Sequence, residues 1–262
     1  MPLGWMDVSG CSFNTLLLLE QVQLGWLPGW LREPDLAVAL RANPAVEWFM
    51  RHKCPKLNEW LDGVMGSLPA GGGTDPAEVR RAEVAILSQI EDLVIYALDP
   101  AVYDAQPFLG WDSSELLSLV DFAGKTVIDV GAGTGRLSLA VAGRARTVFA
   151  VDPVANLRAY VRHKAREAGF HNVYPVDGVI TGIPFPGGTA DVTMSGHVFG
   201  DEPEAEYREL LRVTKPGGMI ILCPGNNDAD NEPHRVLLSH GFSWSRFEEP
   251  HDDWKRKYWL TV

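Results

Sequence analysis

The chain has 262 residues, of which 46% are hydrophobic and 22% charged, with a formal net charge of -11. That is enough for one large domain, or a domain of ordinary size with an extension, and it excludes global disorder. The negative balance repels phosphate backbones, so nucleic acid is not an expected partner. Cys11, Cys54 and Cys223 are odd in number and widely spaced. They suggest neither a disulfide framework nor a zinc site, and a reducing, cytoplasmic compartment is expected. Met1–Gly10 lacks the features of a signal peptide, and the apolar patch Leu16–Leu19 is too short to span a bilayer, so no membrane partner is expected.

The first 120 or so residues read as helical and rich in tryptophan: Trp5, Trp26, Trp30, Trp48, Trp60, Trp111. Asp35–Ala42 is a predicted helix. Asn43 is placed to cap the next, with Pro44 in its first turn. Pro55 can open a third, through Trp60 to Met65. Gly66–Thr74, with three consecutive glycines, is an expected break. Asp75-Pro-Ala-Glu78 is a helix start, and Val79, Ala82, Ile86, Ile90, Leu93 and Ala97 recur at helical spacing up to Pro100. Asp112-Ser-Ser-Glu115 starts another helix, running to Phe122.

From Lys125 short apolar runs alternate with helices. Predicted strands cover 126–130, 147–151, 172–176, 190–195 and 219–223. Helices are expected over 135–143, 154–168, 204–213 and 229–240. Two closing strands, 243–249 and 257–262, have no helix between them and should pair antiparallel. Such alternation implies an α/β fold, a parallel sheet with helices on both faces. Lys255-Arg-Lys257 reads as protection of an edge strand. Arg158, Arg162 and Arg166 read as a solvated helix face.

The first strand runs into Asp129-Val-Gly-Ala-Gly-Thr-Gly135. Glycine permits a tight turn and close approach of backbone amides to a ligand, and ligands bind beyond the carboxyl ends of parallel strands. A helix N-terminus after the turn favours an anionic group such as a carboxylate. The dinucleotide fingerprint places its third glycine where this chain has Arg136, so the nicotinamide pattern fails. An acid at Asp129 is also ill-placed beside a pyrophosphate but suited to an amine.

With its downstream partners, this turn resembles motif I of the class I S-adenosylmethionine-dependent methyltransferases. Val151-Asp152 is similar to the family's ribose-binding acid. Val176-Asp177-Gly178 is similar to its adenine corner, and Ile183-Pro-Phe-Pro-Gly-Gly-Thr-Ala-Asp191-Val to the pattern "LPFPDGSFDVV". Leu211-Arg-Val-Thr-Lys-Pro-Gly-Gly218 matches "RVLKPGG". The resemblance covers about Gly110 to Val262. It implies a Rossmann-like, doubly wound, seven-stranded sheet with the last strand antiparallel, carried by residues 111–262. Residues 1–110 would then be a helical extension covering the cofactor or acceptor.

The implied cofactor is S-adenosyl-L-methionine. The resemblance assigns it Asp129, Gly131, Ala132, Gly133, Thr134, Gly135, Asp152, Pro153, Asp177, Gly178, Val179, Ser195 and Gly196. His197, after the fourth strand, is the candidate base, and Tyr103, Trp111, His197 and Asn226 are candidate acceptor contacts. Ser195-Gly-His-Val stands where an amine-methylating tetrapeptide would stand in a nucleobase methyltransferase, so a small-molecule acceptor is expected. No metal is expected, since the acidic loop 225–232 and Asp191 read as solvated loop. The oligomer is expected to be a monomer or homodimer. A non-catalytic cofactor-binding scaffold and a nicotinamide oxidoreductase are the alternatives.

Overall fold

The computed structural model describes residues 4–67, 75–250 and 253–262; the three consecutive glycines lie outside them. The chain divides into two compact units, Met1–Tyr103 and Asp104–Val262.

The helices that begin in the first unit are α1 (Gln21–Trp26), α2 (Glu33–Ala42), α3 (Pro44–Lys53), α4 (Asn58–Gly66), α5 (Pro76–Gln89), α6 (Glu91–Leu98) and α7 (Pro100–Asp104). They enclose one apolar core that includes Phe13, Leu24, Leu40, Met50, Leu61, Ile86 and Leu93. Asp75 caps α5 as expected, accepting from the Ala77 amide at 3.1 Å. Asn43 does not cap α3. Its amide instead donates to the Ala39 carbonyl and to Glu83, tying α2 to α5. The single helix expected between Val79 and Ala97 is two helices, because Ile90 leaves helical geometry (φ -118°, ψ 32°). The apolar period carries on through the break, so period alone does not reveal it. Glu91, just beyond, is buried and accepts from the amides of Gly4 and Met6 at 3.0 and 2.7 Å.

The second unit holds α8 (Ser114–Leu117), β1 (Thr126–Val130), α9 (Arg136–Ala142), β2 (Thr147–Val151), α10 (Ala155–Glu167), β3 (Val173–Val176) and β4 (Ala190–Ser195). It continues with α11 (Pro203–Val213), β5 (Thr214–Asn227), α12 (Glu232–Ser239), β6 (Ser243–Glu249) and β7 (Asp253–Thr261). The seven strands form one sheet in the order β3-β2-β1-β4-β5-β7-β6. β7 runs antiparallel to both β5 and β6, and the pairings among β1 to β5 are parallel. This is the expected Rossmann-like architecture.

The period-two alternation of strands sorts the side chains onto two faces. Val127, Val192, Ile221 and Cys223 share a core with Leu137, Val141 and Val161 of α9 and α10. Ile128, Val130, Ile220 and Leu222 share the other with Leu210 of α11 and Leu237 of α12.

Three expectations need correction. The helix opening at Asp112 closes after Leu117 rather than reaching Phe122; the Asp121 carboxylate accepts from the Ala123 amide in a turn that competes with helix. The fifth strand is far longer than expected, because the turn at Lys215–Gly218 itself pairs with the C-terminal residue: Gly217 donates to Val262, and Val262 to Gly218. Lys255, Arg256 and Lys257 do not guard an edge, since β7 lies between β5 and β6 and all three are buried. Arg256 bonds Asp228 and Asp230, Lys257 bonds Glu115, and Lys255 bonds Asn227. The cations are neutralised inside the unit.

Candidate functional site

The carboxyl ends of β1 to β4 bring the glycine turn, Asp152, Asp177 and Ser195 to one edge of the sheet. The turn hangs from β2, with the Gly131 and Ala132 amides donating to the Val151 carbonyl at 2.8 and 3.0 Å. Gly131 and Gly135 both have positive φ, 68° and 83°. A Cβ on Gly131 would stand 2.2 Å from a Val198 methyl, and one on Gly135 would stand 3.0 Å from Val161. Only glycine fits both the dihedrals and the space. Ala132 and Thr134 are buried beneath the turn.

Asp152 joins turn to strand. One carboxylate oxygen accepts from the Gly133 amide at 2.9 Å, the other from Val154 at 2.8 Å, across the half-buried Pro153. Burial nevertheless pushes this carboxyl up to about 6. Asp129 lies deeper, 1% exposed, and accepts from the Ser138 hydroxyl at 2.6 Å. Burial, with the nearby charge of Asp152, pushes it up to about 7. Two carboxylates taken out of water this close to a turn of backbone donors form a site suited to amine and hydroxyl groups.

Asp177 is largely exposed and pairs with Arg158 at 3.0 Å. Arg158 also donates to the Asp152 carbonyl at 2.7 Å, so it joins two strand ends rather than facing solvent. Gly178 packs closely against Pro184, and Val179 makes an isolated bridge to Gly182. Ser195 is 1% exposed and its hydroxyl has no hydrogen-bond partner among the described residues. Gly196 is pressed near the Cys223 carbonyl, where a Cβ would come within 3.2 Å. Burial raises the Cys223 thiol to about 12, which fits a core residue and not a nucleophile.

His197 has φ 61°, the only positive value on a non-glycine residue among those described. Such a conformation costs energy and persists only where surroundings enforce it. Its amide donates to the Pro224 carbonyl at 2.9 Å, and its ring meets Phe108 edge-on. The Nε2 atom is 3.5 Å from the buried Glu249 carboxylate, which in turn lies 3.5 Å from the Lys255 ammonium. Burial, with Lys255 nearby, lowers the imidazole to about 4, so it is neutral at pH 7.

Asn226 is near the end of β5 and exchanges hydrogen bonds with Asn231, whose carboxamide oxygen also caps α12. Asp201 does not cap α11. Glu206 takes the amides of Gly200 and Glu202 instead. Asp191 is bound to Lys215 at 2.6 Å and to the Thr126 amide at 2.8 Å. Among the described residues no three His, Cys, Asp or Glu side chains are grouped to hold a metal, and no helix is long and apolar enough to cross a membrane.

Trp111 is buried, its ring tilted against Phe247 and beneath the Arg136 guanidinium, which donates to its carbonyl. Tyr103 belongs to the first unit, where its ring contacts Trp5 and Tyr96. A cavity of about 560 Å³ lies in the second unit, lined by Asp104–Pro107, Leu109, Gly110 and Ser113, by Arg136, Leu139 and Ala140 of α9, and by Lys164 of α10. Arg136, Arg158, Ser138, Glu249 and Lys255 are site neighbours that sequence reasoning passed over. Arg158 could have been suspected from its place in the second turn of the helix that follows Asp152. Nothing local marks Glu249 or Lys255.

A family model described as a methyltransferase domain matches residues 128–222. An uncharacterized methyltransferase of Geobacillus kaustophilus is 29% identical over 170 residues, 61% of this chain and 74% of the relative. A demethylmenaquinone methyltransferase of Clavibacter sepedonicus is 36% identical over 118 residues, 43% of this chain and 46% of that one. Among solved structures, a SAM-dependent methyltransferase from Aquifex aeolicus shares the fold, with a TM-score of 0.50 at 22% identity; the match covers 63% of this chain and all of that one.

Proposed function

We propose that this chain is a class I S-adenosylmethionine-dependent methyltransferase that methylates a small molecule at the carboxyl edge of its sheet. The observation that carries the reading is the 2.9 Å bond from the Gly133 amide to Asp152, which locks the glycine turn to the β2 acid. S-adenosylmethionine supplies a methyl carbon already activated by a cationic sulfur. The protein's task is then chiefly to position donor and acceptor.

Asp152 is assigned the ribose hydroxyls, and Asp177, Gly178 and Val179 the adenine. Gly131–Gly135, with Ser195 and Gly196, flank the amino-acid end. Asp129 lies under the turn, so its hold on the donor's amine passes through a bridging water. His197, neutral at pH 7, can accept a proton from a hydroxyl or acidic-carbon acceptor. Trp111 and Asn226 are proposed as acceptor contacts. Three relatives are named for demethylmenaquinone, and that supports a small-molecule acceptor here.

Titration calorimetry of the purified protein should show binding of both S-adenosylmethionine and S-adenosylhomocysteine; heats indistinguishable from dilution for both would end this reading. His197→Ala should lower methyl transfer to an accepted small molecule while leaving cofactor affinity nearly intact. Unchanged turnover would remove His197 from the mechanism.

A further inference from the structure

The residue that breaks the dinucleotide pattern, Arg136, carries a charge that no carboxylate among the described residues pairs. It is the first residue after Gly135, and its side chain lines the 560 Å³ cavity. One guanidinium nitrogen donates to the Trp111 carbonyl, and the group lies 4.7 Å from the centre of the Trp111 ring. Its Nε is buried without a hydrogen bond. No carboxylate among the described residues comes within ion-pair distance; Asp104 and Asp112 attract it only from farther away. The other cation of the cavity, Lys164, is already paired, with Asp104 at 2.7 Å and with the Thr134 carbonyl. Burial pulls the Arg136 group below its ordinary value, so the charge is held at a cost.

A guanidinium has five donors in a planar fork matched to a carboxylate. Here one donates to a carbonyl, and the ring offers a cation–π contact. A buried polar group left unpaired is expensive, and a bound anion would relieve it.

The geometry points to Arg136 as the residue that grips the α-carboxylate of the methyl donor. This rests on the cofactor reading above. Gly133, bonded to Asp152, and Arg136 are three residues apart, so their Cα atoms lie at most about 10 Å from one another. That separation suits a ligand whose ribose is held at Asp152 and whose amino acid extends past the turn. Arg136 thereby acts where a nicotinamide-binding chain needs its third glycine.

Calorimetry with S-adenosylmethionine, with its decarboxylated analogue and with methylthioadenosine tests this without any acceptor. Wild type should bind S-adenosylmethionine at least about tenfold more tightly than the decarboxylated analogue, the factor expected of a charge-assisted hydrogen bond. Arg136→Met should abolish that preference while leaving methylthioadenosine affinity unchanged, and Arg136→Lys should restore part of it. Equal affinities of wild type for the two donors would overturn the assignment without recourse to any variant. So would a preference that survives in Arg136→Met, or a loss shared equally by all three ligands. Binding of methylthioadenosine together with either result leaves the cofactor reading standing; binding of none of the three removes both.

Discussion

Around β1 and β2 the edge of the sheet is made of backbone. Glycines at positive φ, amides on the Val151 carbonyl and the two-amide grip of Asp152 shape it, and the two acids there are pushed up by their own burial. Around β4 to β7 it is made of side chains. His197, Glu249, Lys255, Asn227 and Asn226 come from four different strand ends or the turns beside them, and burial, with Lys255 nearby, holds the imidazole neutral. A backbone site tolerates almost no change in shape but is indifferent to many side chains. A side-chain site tolerates changes in shape but answers to each charge.

The largest test of that contrast is Gly131→Val. The added side chain meets Val198 at once and must adopt a left-handed backbone, so cofactor affinity should fall by two orders of magnitude or more. Calorimetry beside a thermal melt separates lost binding from lost folding; affinity within a few fold of wild type would show that the turn can yield.

Next in size is Asp152→Asn. The amide side chain keeps one acceptor oxygen where the structure uses two, so either Gly133 or Val154 loses its partner, and on the proposed cofactor reading a ribose hydroxyl would lose one too. A loss of about 10- to 100-fold in affinity is expected. In wild type the affinity should also weaken as pH falls through about 6, where Asp152 takes up a proton. An affinity flat from pH 5 to 8 would contradict this.

Asp129 supplies a test in stability. Its folded-state value, about 7, lies above the ordinary aspartate value, so the folded protein holds the proton more tightly than the unfolded chain. Stability from this group is full below about pH 4 and is lost as pH rises through about 7. Asp129→Asn keeps an acceptor for Ser138 without a titration. It should match wild type near pH 4 and exceed it at pH 8 by on the order of 2–4 kcal/mol. Parallel unfolding curves for the two proteins at both pH values would refute the buried-acid argument.

The smallest effect belongs to the side-chain end. Lys255→Met removes the positive neighbour of His197, whose other near charge is Glu249. The imidazole should titrate upward from about 4, by a fraction of a unit to about one unit, in a histidine NMR titration. A downward shift would show that Lys255 acts through packing instead of charge.

Much of the second unit was legible in the chain itself. Glycine spacing, the acids that end β1, β2 and β3, and the alternation of strand and helix are local signals, and the sheet that forms is the one they announce. The misreadings share a different origin. Arg158 and Lys255-Arg-Lys257 read as solvent-facing because charge is ordinarily exposed, and their partners, Asp152 and Asp177 for the first and Asp228, Asp230 and Glu115 for the others, explain why they are not. The break at Ile90 leaves the apolar period intact, and so it left no local trace.

By itself the sequence determined the turn at Asp129–Gly135 and the acids that serve it, because a positive φ and a tight approach demand glycine wherever the rest of the chain goes. Tertiary structure alone decided that β7 slides between β5 and β6, that Glu249 comes to rest beside His197, and that Arg136 lines a cavity with no carboxylate partner among the described residues. Strand order and charge pairing are sums over residues far apart in the chain, and no local pattern carries them.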